Sequence, residues 1–181
     1  MSLRRFSLAL LLAPFLALLP GSPSRATTQR DTTIEELARA SNVIVRGTVM
    51  AVTVHATGPG GRPGIHTEVQ IAAEEFMAGA PVSVVTLWVH GGRLGSRARV
   101  VPGQASFRVG ESVIVFLFAA SDGILWPAGM ARGKWRIAHD VPGAADSVLV
   151  EPSSAHQPEG APPRTITLDV FRARIDAVVR R

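Results

Sequence analysis

Residues 43–55, Val-Ile-Val-Arg-Gly-Thr-Val-Met-Ala-Val-Thr-Val-His, decide the fold. β-Branched side chains dominate this run and recur with a period of two, the pattern of a half-buried strand. Val43, Val45, Val49 and Ala51 fall on one face, with Gly47 among them. A glycine inside a strand marks a bulge or a tight bend, as at a barrel corner. The next stretch, Thr57-Gly-Pro-Gly-Gly-Arg-Pro-Gly64, has loop composition. Alternation resumes over 65–76, with Thr67, Val69, Ile71 and Ala73 on one face and His66, Glu68 and Gln70 on the other. The two runs predict a long hairpin with a wide loop.

Downstream, residues 78–81 form a turn and 82–89 a third strand, apolar on both faces and therefore expected to be covered. Residues 91–106 read as a Gly- and Arg-rich loop with a short strand at 99–101. Residues 112–118 are the most apolar strand, and Asp122-Gly123 is a hairpin turn. Short strands follow at 124–126 and 134–138, with Pro127 confining the first to an edge or bend. After a turn at 141–143, a last strand is expected at 147–151. Residues 152–164 are proline-rich and read as a linker. The segment 165–181 is an amphipathic helix that carries Leu168, Phe171, Ile175, Val178 and Val179 on one side. Thr167 is placed to cap it, Asp169 suits its start, and Arg180-Arg181 suit its end. Upstream, Thr33-Ile34-Glu35-Glu36 is a capping box, and Ile34, Leu37 and Ala38 form the apolar stripe of a short helix. The expectation is a mainly β domain over 34–151: a small antiparallel five- to six-stranded OB-like barrel with a helix at each end.

The N-terminus has a different composition. Arg4-Arg5 precede an apolar run, Pro20 breaks it, and small residues stand at Ser24 and Ala26. That order is the order of a secretory signal peptide, residues 1–26, cleaved after Ala26 and followed by a flexible stretch at 27–33. The alternative is a membrane anchor, but the run from Phe6 to Leu19 is shorter than the about 20 residues a spanning helix needs. Twin-arginine export fits poorly, because Phe6-Ser7-Leu8 follow the arginine pair. The expected product is exported to the periplasm or secreted, with no stable membrane insertion after cleavage. Loss of Arg4, Arg5 and Arg25 with the leader removes three of the five excess positive charges. With no Cys or Tyr and a single lysine, Lys134, almost nothing titrates between histidine and arginine. The basicity is therefore no nucleic-acid signature, and the arginines lack interleaved aromatics. The absence of cysteine rules out disulfide scaffolds, thiolate zinc sites and thiol catalysis. About 155 mature residues must stand on an apolar core.

The order of elements resembles a known group. A short helix leads into Ser41-Asn-Val-Ile-Val-Arg-Gly-Thr-Val49; Glu74-Glu-Phe-Met-Ala-Gly79 follows; Phe107-Arg-Val-Gly-Glu111 runs into Val113-Ile-Val-Phe-Leu117. This resembles exported bacterial β-domains of the OB-barrel type, in the netrin-like form shared with tissue inhibitors of metalloproteinases. Gly129-Met-Ala-Arg-Gly-Lys-Trp-Arg-Ile137 is similar to a motif of secreted bacterial proteins. The resemblance implies a barrel and no activity. Those inhibitors bind the catalytic zinc through an N-terminal cysteine, which this chain lacks, and Ala78 stands where their pattern has lysine.

The chemistry-bearing residues are few. Arg93, Arg97 and Arg99, with Trp88 nearby in sequence, form the best candidate grip for a carboxylate, phosphate or anionic sugar. His55 and His66 bracket the wide loop and, with Glu68, are the weak candidates for metal ligands. His90, His139 and His156 have no ligand-like spacing. Glu74 and Glu75, as strand neighbours, are expected on opposite faces and not as a catalytic pair. Gly129 to Trp135 imitates a phosphate loop but is one residue short and has Trp where Ser or Thr is required. It is read as a glycine bend that packs Trp135 inward. Core packing is expected for at least two of Trp88, Trp126 and Trp135. No catalytic motif appears and no cofactor is expected. These features point to a non-enzymatic exported binding domain for an extracytoplasmic protein or anionic ligand. The other readings are an inhibitor-like domain without the cysteine–zinc mechanism and a hydrolase of unrecognised site.

Overall fold

Two long antiparallel strands, β1 (Val43–Thr57) and β2 (Pro63–Ala78), carry the molecule. In this computed structural model the described residues are 32–138, 147–150 and 165–179, the side chains of 147–150 and of Thr165 excepted. The expected leader with its Ala26 cleavage site, residues 27–31, the expected 141–143 turn and 152–164 linker, His139, His156 and Arg180-Arg181 lie outside them. The described residues belong to one compact unit, Thr32–Arg181.

Helix α1 (Ile34–Arg39) opens on the expected capping box: the Thr33 hydroxyl accepts from the Glu36 amide at 3.1 Å, and Glu36 accepts from the Thr33 amide at 2.9 Å. After β2 come β3 (Val84–His90), β4 (Gly92–Leu94), β5 (Arg97–Arg99), β6 (Ser112–Ala119), β7 (Leu125–Pro127), β8 (Lys134–Ala138), β9 (Ser147–Val150) and β10 (Thr165–Thr167). Helix α2 (Leu168–Val179) closes the described chain. Eight strands form one antiparallel sheet in the order β10-β9-β8-β6-β1-β2-β3, with β7 on β6, while β4 and β5 form a separate hairpin. Among the described residues the fold is mainly β with two α-helices, and the hydrogen-bonded path is open at β10 and β3.

The sheet buries both faces. On one, Val45, Val49, Val69, Ile71, Leu87, Val113, Val115 and Leu117 form a core of alternating strand positions. On the other, Ile44, Ile114, Phe116 and Trp135 pack beneath Ile34 and Leu37 of α1 and Leu168, Phe171 and Ile175 of α2. Lys134 is 1% exposed. Its ammonium donates to both Glu111 carboxylate oxygens at 2.8 Å and to the Ser106 carbonyl, and it lies 4.9 Å from the Phe107 ring centre. The next residue, Trp135, faces the opposite core and meets Phe171 edge-on at 4.7 Å. The 129–137 segment therefore sends Lys134 to one side of the sheet and Trp135 and Ile137 to the other.

Several expectations need correction. One extra residue at Met50 shifts the β1–β2 register between Val49 and Ala51, so Val52, not Ala51, packs on the core. Strand β3 is not covered on both faces: Val85, Leu87 and Val89 are buried, while Val84 is 42% exposed. The 91–106 segment holds the β4–β5 hairpin instead of a strand at 99–101. Residues 165–167 add strand β10 against β9 before the C-terminal helix starts at Leu168.

Candidate functional site

One corner of the molecule gathers cationic and aromatic side chains. The 58–64 loop makes a single 3-10 turn at Pro59–Gly61 and delivers Arg62 to the start of β2. A Cβ at Gly58 would lie 2.7 Å from the His66 ring, so only glycine lets the loop fold over that imidazole. His66 is 2% exposed, and its Nδ1–H donates to the Gly64 carbonyl at 2.8 Å. That bond places a proton on Nδ1.

Strand register brings His90 opposite His66, with ring centres 5.0 Å apart. His90 in turn stacks on Trp126 of β7 at 4.4 Å and 22°. This stacking joins β3 to β7 where the strands are not hydrogen-bonded partners. The Arg62 guanidinium carbon sits 5.5 Å from the Trp126 ring centre, a cation–π distance. Its Nη2 pairs with Asp122 at 2.7 Å, and its Nη1 is shielded without a hydrogen-bond partner. Arg99, the last residue of β5, reaches back to the Pro63 carbonyl at a long 3.5 Å. Burial, and then the charges of His66, Arg99 and Arg62, push the His90 imidazole below its ordinary value, which favours the neutral ring at neutral pH.

Beside this corner lies a pocket of about 380 Å³, lined by Arg62, His90, Gln104, Phe118, Trp126 and Met130 among others. Phe118 and Trp126 are cross-strand partners and so present side chains on the same face. Met130 has φ +59°, the only non-glycine residue with positive φ among those described. Such backbone strain concentrates at binding sites, where surrounding contacts hold it in place.

The sequence candidates scatter around the corner. Arg97 and Arg99 share one face of the β4–β5 hairpin, whereas Arg93, opposite Ala98, points to the other, so the three guanidiniums do not converge. Trp88 stands apart from the pocket, 5.1 Å from the His55 ring. His55 and His66 are direct cross-strand partners. Their contacts nevertheless diverge, because His55 approaches Glu68 at 3.3 Å while His66 turns to His90 and Trp126. Among the described residues no group of three His, Cys, Asp or Glu side chains is arranged to hold a metal. Glu74 and Glu75 do not diverge as strand neighbours should: Glu74 is an extra residue in the β1–β2 ladder, and both carboxylates lie by Arg46, at 3.5 and 3.6 Å. Thr48 also donates to Glu74 at 2.8 Å, and Arg172 of α2 holds Glu75 at 2.6 Å, so the pair is occupied structurally. The 129–135 segment makes a 3-10 turn that enters β8 instead of starting a helix, which leaves no phosphate cradle of the P-loop kind.

Arg62, His90, Gln104 and Asp122 were not legible as a site. The pairing of His55 with His66 was the one local signal, since it places His66 at the loop mouth where Arg62 arrives. The sequence matches no family model and no curated protein.

Proposed function

We propose that this chain is an exported, non-enzymatic binding domain that holds an anionic ligand at the corner formed by Arg62, Arg99, His66 and His90. One observation carries this reading: four nitrogen-rich side chains converge there, with Asp122 the carboxylate paired among them. That single pair is solvent-exposed on both sides, 38% for Arg62 and 39% for Asp122. Exposed pairs of this kind are worth about 0–1 kcal/mol, so an incoming anion exchanges with Asp122 at little cost. The signal-like leader supports export, and the antiparallel sheet, whose last strand β3 meets β7 by side-chain stacking without closing the hydrogen-bonded path, accords with a half-closed OB-like barrel. In that barrel β3 approaches β7 through the His90–Trp126 stack, and the 45–117 core forms the interior. The netrin-like resemblance of the strand order accords with it.

Calorimetric titration of the mature domain with inorganic sulfate tests the site. Arg62→Ala combined with Arg99→Ala is expected to weaken binding at least about tenfold, the loss of two charge-assisted contacts. Arg93→Ala, on the other face of its hairpin, is expected to change little. An Arg93→Ala loss equal to that of the double variant contradicts the assignment.

A further inference from the structure

The pocket beside the cationic corner has a composition that an inorganic anion would not use. Phe118, Ala120, Trp126, Pro127 and Met130 supply apolar walls, whereas Arg62, His90 and Gln104 supply the polar groups. Phe118 is 40% exposed, an open aromatic edge beside the nearly buried Trp126. A volume of about 380 Å³ falls within the range of small-molecule pockets, about 300–1,000 Å³. Such pockets bury a mainly apolar body and fix it with a few polar groups at one end.

Resting on the anion-binding reading above, we infer that the ligand is a flat aromatic acid: an aryl body between Phe118 and Met130, with one carboxylate- or sulfonate-type head at Arg62. The Trp126 ring, which carries His90 by stacking and Arg62 by cation–π contact, holds both head-binding groups beside the apolar walls. Gln104 adds an amide able to donate to the head or accept from a ring substituent. Binding gains from desolvating the aryl face, and the head gains a guanidinium whose existing partner is weakly held.

Fluorescence titrations of the mature chain with naphthalene-2-sulfonate, naphthalene-2-sulfonamide and sodium sulfate separate the two parts of this inference. The sulfonate has a permanent charge, the sulfonamide is its neutral counterpart, and sulfate has the charge without the ring. The sulfonate is expected to bind at least about tenfold tighter than either control, since a buried apolar body and a charged contact each contribute about 1.4 kcal/mol or more. Phe118→Ala is expected to weaken the sulfonate and leave sulfate unchanged. Arg62→Gln is expected to weaken the sulfonate and leave the sulfonamide unchanged. Equal affinity for sulfonate and sulfate overturns the aromatic-acid inference while the anion site stands. Equal affinity for sulfonate and sulfonamide, indifferent to Arg62→Gln, overturns the anion site itself. No binding of either naphthalene or of sulfate overturns both.

Discussion

At Gly133 the chain has no room for a methyl group. A Cβ there would collide with the Ala128 carbonyl oxygen, a backbone atom that cannot swing aside. The bend it permits delivers Lys134 to one core and Trp135 to the other. Gly133→Ala is therefore expected to cost about 1–3 kcal/mol, as overpacked sites do, and urea unfolding measures it. Lys134→Met is expected to cost more, about 3–5 kcal/mol, because it leaves the Glu111 carboxylate without its main counter-charge. Replacing Glu111 by Leu in the same chain should recover much of that loss; no recovery would mean that the ion pair is not the cause. The glycine bend and the inward Trp135 were legible in residues 129–137, because glycine spacing is a local signal. The Lys134–Glu111 pair was not, since its partners lie 23 residues apart and meet only when β6 and β8 align.

Elements were easier to read than their registers. The capping box of α1, the runs of β1, β2, β6 and β8, and the apolar stripe of α2 follow from periods of two and 3.6 residues. Extra residues at Met50, Glu74 and Met77 escaped that reading, because a bulge shifts the ladder without disturbing composition. The bulge at Glu74 has a consequence for α2. It leaves Glu75 facing the helix side of the sheet, where Arg172 donates from Nε and Nη2 at 3.0 and 2.6 Å. Arg174 makes the equivalent pair with Glu35 of α1, at 2.7 and 2.8 Å. These arginines hold both carboxyls below their ordinary value of 4.5, chiefly through those hydrogen bonds. A carboxyl depressed in the folded state contributes stability that is present above about pH 4.5 and lost as pH falls through its folded value. Docking of α2 should therefore weaken in acid, by about 0.2–1 kcal/mol for each partly exposed pair. Thermal melts across that window should show a flatter pH dependence for Glu35→Gln with Glu75→Gln; an unchanged slope would exclude these pairs as its source.

At the scale of the whole molecule, the fold places residues from distant segments at one corner. Arg62 and Asp122 are 60 residues apart in the chain and pair at 2.7 Å, although the β1–β6 register sets the β6–β7 turn beside the start of β1 and not beside the β1–β2 loop; the contact of β3 with β7 through His90 and Trp126 brings that loop to the turn. The mainly β, antiparallel character with terminal helices was legible from patterning, whereas a site assembled from a loop, two strand ends and a 3-10 turn has no spacing for a sequence to display. Arg93, Arg97 and Arg99 are close in sequence, but hairpin register separates Arg93 from Arg97 and Arg99. The direct test of the proposed anion site is an amide-resolved NMR titration of residues 27–181 with sulfate. The account predicts saturable shifts at the amides of Arg62, of residues 64–66 and 90–92 and of Arg99, and at the Trp126 indole. Shifts centred on Arg93, or none at the corner, would contradict it.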